Sequence, residues 1–123
     1  MRYITDRKRA NAVGSAHAGT AKHWFMQVTA IILAILLPIF IYLFGSAIGM
    51  NQAGVAARFG NPFAALLTAT VLVVGLRHFA AGTATLIEDY AKGGLRKGLI
   101  IMITALSYGL MGMGLYALVR FAV

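Results

Sequence analysis

Two ionisable residues, Arg77 and His78, stand side by side in an apolar stretch long enough to cross a bilayer. The stretch runs from Leu66 to Tyr90, LLTATVLVVGLRHFAAGTATLIEDY, and ends on Glu88-Asp89-Tyr90. Ionisable groups are expensive in hydrocarbon, so a spanning helix that keeps an imidazole and a guanidinium in its middle third has a use for them. Counted at 100° per residue, Gly75, His78, Gly82, Thr85 and Asp89 share one stripe. Glycine on either side of the imidazole lets something approach closely. That something is either another helix, with His78 hydrogen-bonded to a Ser or Thr, or a flat macrocycle with His78 as an axial iron ligand. The stripe alone leaves both open.

Arg77 lies roughly 15 Å from the nearer helix end by helix rise, deep enough to need an anion such as a propionate or a partner's carboxylate. The plain alternative is a partner's backbone carbonyls. Glu88 and Asp89 sit at a helix C-terminus, where they oppose the macrodipole. Lys92, Arg96 and Lys97 follow in the next turn and can neutralise them. Tyr90 at an interface is ordinarily an aromatic anchor. Beside an acid, its hydroxyl can also donate to a carbonyl oxygen of a lipid-soluble ligand. His17 and His23 lie outside the membrane core and read first as solvated polar residues. His23 opens the first helix, where it could hydrogen-bond an anionic group.

Three elements must position these residues, and the expected fold class is all-α, an integral membrane protein. Residues 24–44 form a first span with Pro38 near its far end, where it should kink the helix. Residues 63–88 form the second span and 99–121 the third. Residues 45–62 read as a Gly-rich connection and 89–98 as a tight basic turn. Residues 1–22, interrupted by Gly14, Ser15, Gly19 and Thr20, read as a polar tail preceding an anchor domain at 23–123. In the third span the small residues Ala105, Gly109, Gly112 and Gly114 read as a packing face, and Met102, Met111 and Met113 as gap fillers.

Composition sets the solvent and the orientation. With 60% hydrophobic and 11% charged residues in 123, the chain cannot hide its apolar surface in water. The net charge of +8 does not point to nucleic acid, because five of the eleven basic residues lie in the first 22 positions and no basic face is interleaved with aromatics. Together the tail and the 89–98 turn hold eight of the eleven. The positive-inside rule therefore places the N-terminus in the cytoplasm and the C-terminus in the periplasm. The absence of cysteine excludes disulfides, zinc thiolates and iron–sulfur ligation by this chain. The first apolar run is too long, and lacks the small-residue site, for a cleaved signal peptide.

A histidine in the second of three spans, followed twelve residues later by the tyrosine of an Asp-Tyr pair, resembles the smaller membrane-anchor subunit of succinate dehydrogenase. The string His78-x-x-x-Gly82 … Ile87-Glu88-Asp89-Tyr90 … Arg96 looks like the bacterial and mitochondrial type. Gly14-Ser15-Ala16 … Gly19-Thr20 … His23-Trp24 … Thr29-Ala30 is similar to that family's approach to its first helix. The resemblance implies that His78 is one axial ligand of haem b, the other coming from the larger cytochrome b anchor subunit. It implies that Tyr90 hydrogen-bonds a ubiquinone carbonyl with Asp89 beside it, and that His23 lies near a haem propionate. Many members carry an arginine just before the Thr-Ala pair, where this chain has Gln27 and Val28. Propionate neutralisation then falls to Arg77 or Lys22. The implied partners are the larger anchor, an iron–sulfur subunit and a flavoprotein subunit, and the implied location is the bacterial inner membrane in preference to the mitochondrial one. On this reading the chain is not an enzyme by itself. Two alternatives stand: a haem-free anchor of the fumarate reductase type, and a small transporter, although the only carboxylates that could couple protons are terminal.

Overall fold

The computed structural model describes residues 5–7 and 19–122. His17, the Gly14-Ser15-Ala16 run and most of the expected tail lie outside the described residues. All the numbered elements are helical: α1 (Gly19–Gly45), α2 (Gln52–Gly60), α3 (Pro62–Tyr90) and α4 (Gly93–Ala122). Of these, α1, α3 and α4 are long and apolar enough to cross a membrane.

The middle helix is the organiser. α1 and α4 each pack against α3 and not against one another. α3 buries Ala64, Leu67 and Val71, whereas α1 buries only Thr29, and α4 only Ser107 and Leu118. Most large apolar side chains, Trp24, Ile35, Phe79, Leu86 and Tyr116 among them, point outward. Water would not tolerate that surface, and lipid or partner helices must cover it.

The structure alters the expected boundaries in four places. Gly19 and Thr20 do not break a helix; they open α1, which then carries Pro38 on to Gly45. The connection at 45–62 contains α2, a two-turn helix that was not expected. Asn51 caps it, its Oδ1 accepting from the Gly54 N–H at 2.8 Å. Asn61 then caps α3, accepting from Phe63 N at 3.0 Å and Ala64 N at 3.4 Å, with Pro62 in the first turn where no donor is needed. The 89–98 turn shrinks to Ala91 and Lys92, because α4 starts at Gly93 (φ 62°), a left-handed position that suits glycine. Finally, Ala105, Gly109 and Gly112 are exposed and do not meet α3. α4 meets it through Ser107, Met111 and Gly114, Leu118 is buried one turn beyond, and Met102 and Met113 face outward.

α2 closes the end of the bundle remote from Glu88. Rings step across it from Phe44 to Phe59 to Phe121, each pair with centroids 6.3 Å apart, linking α1, α2 and α4. Gly60 is required there: a Cβ would lie 2.7 Å from the Phe121 carbonyl oxygen.

Candidate functional site

α3 is 29 residues long, roughly 43 Å by helix rise against a hydrocarbon core of about 30 Å. About four residues at each end therefore reach the headgroups, which puts Glu88, Asp89 and Tyr90 in the interface. The helix midpoint is residue 76, so His78 sits close to the bilayer centre.

The glycine stripe faces α1. A Cβ at Gly75 would touch Leu33 at 3.7 Å, and one at Gly82 would touch Met26 at 3.5 Å. Between them the His78 Nδ1 lies 2.7 Å from Thr29 Oγ1. Of the two readings of the stripe, helix packing with a threonine partner is the one this geometry displays. A macrocycle cannot lie flat on these glycines, because α1 is already there. His78 nevertheless fits a single axial ligand. Its ring is only partly covered, Nδ1 is engaged, and Nε2 makes no hydrogen bond to any described residue. Described residues offer no cluster of three or more His, Cys, Asp or Glu, and the other described histidine, His23, lies exposed on α1 toward the Glu88 end.

Arg77 leaves the stripe on a different side. Its guanidinium lies over the Phe25 ring, 5.5 Å from the centroid, a cation–π contact that partly offsets the cost of the charge. The α1–α3 pairs set Phe25 level with Thr83, so the arginine runs about a turn and a half toward the Glu88 end. It borders a cavity of about 210 Å³ shared with Ala80, Ala84, Ser107 and Tyr108, and His78 does not line that cavity. No carboxylate pairs with Arg77 among the described residues.

At the interface, Glu88 bonds Lys22 of α1 at 3.0 Å and lies 3.7 Å from Arg96 of α4. The basic turn was expected to neutralise the acids; Lys22, from the other neighbouring helix, holds Glu88 most closely. Asp89 makes no ion pair among the described residues, and Tyr90 is 84% exposed. His23 is exposed and borders a shallow cavity of about 250 Å³ with Lys22, Met26 and Thr85. One helix thus brings His78 and Tyr90 into a single frame, roughly 18 Å apart along the axis and on different faces. Sequence reasoning missed Thr29, which is buried and aimed at His78. Its signal was present: it is the only serine or threonine in the first span, residues 24–44.

Residues 1–117 match the family described as succinate dehydrogenase/fumarate reductase transmembrane subunit. The chain belongs to this family. The succinate dehydrogenase hydrophobic membrane anchor subunit of Paracoccus denitrificans is 46% identical over 120 residues, covering 98% of this chain and 93% of that protein. No solved structure matches. Membership makes this chain a non-catalytic membrane anchor of succinate dehydrogenase, in agreement with the three apolar helices and the lack of cysteine to hold clusters.

Proposed function

We propose that this anchor shares a haem b with the larger anchor subunit and contributes to a ubiquinone-reduction site at the Glu88 end of the bundle. The observation that carries the proposal is His78: an imidazole near the centre of a membrane helix, held at Nδ1 and with Nε2 unbonded among the described residues. His78 would be this chain's residue on the iron, and a bis-histidine site would take its second histidine from the larger anchor subunit. When bound, the haem supplies a one-electron relay between neighbouring redox centres. His23 and Arg77 are the residues of this chain assigned to its propionates.

Tyr90 and Asp89 act on the quinone. The phenol donates a hydrogen bond to a carbonyl oxygen, fixing the ring at the membrane surface, and Asp89 supplies a proton beside it. Iron–sulfur and flavoprotein subunits bring the electrons, docked by the basic residues of the tail and of Lys92, Arg96 and Lys97. The tail and the Tyr90 end lie in the bacterial cytoplasm and Arg120 on the periplasmic side, in keeping with the distribution of basic residues.

A second reading, the haem-free anchor, is favoured by the same hydrogen bond, since a histidine that only ties α3 to α1 would look alike. A dithionite-reduced minus oxidised spectrum of the purified complex separates them. A b-type band that disappears in His78→Ala establishes the ligand. No band in an otherwise complete wild-type complex leaves His78 as a packing residue.

A further inference from the structure

The hydroxyl of Thr29 lies 2.6 Å from the Phe25 carbonyl oxygen and 3.2 Å from that of Met26. Two oxygens at 2.6 Å repel unless a proton lies between them, so the hydroxyl donates into its own helix. Its oxygen then has only lone pairs left to offer the imidazole at 2.7 Å. The His78 Nδ1 must therefore carry a proton, so that of the two neutral tautomers the one this contact selects has its lone pair on Nε2. Thr29 is 7% exposed, so water does not compete for this bond.

We propose that Thr29 is a positioning residue for the haem assigned above to His78, and its role rests on that haem being bound. It fixes the tautomer in which Nε2 is the ligating atom, and it fixes the plane of the ring. An imidazole that donates its second N–H to an acceptor is also a stronger electron donor through the other nitrogen. Such a ligand favours the ferric form and holds the haem potential down. Thr29 stands on α1, a helix that carries none of the ligands, so the register of α1 against α3 sets the electronic character of His78.

The test uses the intact complex and reads the haem itself. In Thr29→Val, which keeps the shape and removes the acceptor, haem retention through purification falls about ten- to a hundredfold. The midpoint potential of the remaining haem rises, and its low-spin EPR signal shifts. Thr29→Ser restores the wild-type potential and signal. Thr29→Ala removes the hydroxyl while asking for less space, and gives the same upward shift should the valine variant assemble poorly. Wild-type potential and EPR signal in both Val and Ala variants would overturn the proposal and leave Thr29 as a packing residue. A wild-type complex with no b-type band overturns it differently, by removing the haem reading on which it rests.

Discussion

The two ends of the helix bundle are built to different standards. At the end remote from Glu88, the local demands of turns and helix starts are met within the chain. Asn51 and Asn61 cap their helices, α2 covers the loop, and Phe44, Phe59 and Phe121 tie three helices together. At the Glu88 end a two-residue link joins α3 to α4, the ion pairs are exposed, and Tyr90 stands 84% open. The first end is tied together by its own caps and rings around a cavity of about 690 Å³ lined by Tyr42, Arg58 and Asn61, whereas the second is held by a short link and exposed ion pairs. Exposed tyrosines occur at both ends, Tyr42 at 78% and Tyr90 at 84%, but the acids Glu88 and Asp89 and the cations Lys92, Arg96 and Lys97 gather at the second, the end to which the proposed quinone site is assigned.

Gly60→Ala should break the closed end. The new methyl group meets backbone, not a flexible side chain, so the cost is about 1–3 kcal/mol, read as a lower melting temperature of the purified complex. The haem spectrum and quinone turnover per surviving complex should remain as in wild type; a loss of turnover per complex would show that the two ends are coupled. Tyr90→Phe should do the reverse. Losing one hydrogen bond to the quinone, worth roughly 1.4 kcal/mol, slows quinone reduction about tenfold with no change in melting temperature. Unchanged turnover would remove Tyr90 from the site. Glu88→Gln should have the smallest effect. Its partners are exposed and screened by salt, so stability should change by about half a kcal/mol at most. A larger loss would mean that the open end contributes more to the fold than its exposure suggests.

Much of this was legible in the sequence because a bilayer imposes harsh rules. Three long apolar runs could only be three helices, and an ionisable pair inside one of them singled out α3. The glycine stripe around His78 was also readable from helical periodicity, but what faced it was not. A stripe of small residues records that something comes close without recording what, and here Leu33 and Met26 of α1 fill the space. α2 escaped notice because its composition is that of a loop. Its signals were the capping residue Asn51 and the Asn61-Pro62 pair, which mark helix starts even where hydrophobicity does not. The outward turn of Ala105 and Gly109 was missed for a related reason. Small size permits packing, but the helix phase set by Ser107, Met111 and Leu118 decides which face packs within the chain.

Because α1 and α4 pack on α3 and not on each other, the middle helix has one neighbour that precedes it in the chain and one that follows. An arginine near the centre of an isolated span costs about 2.5–3.5 kcal/mol on insertion. α1 carries no charge between Lys22 and its end, and it is synthesised first. When α3 follows, the Phe25 ring and the Thr29 hydroxyl are already in the membrane to receive Arg77 and His78. The α1–α3 contacts thus give both ionisable side chains of the middle span a partner within this chain, on the one neighbouring helix that precedes it.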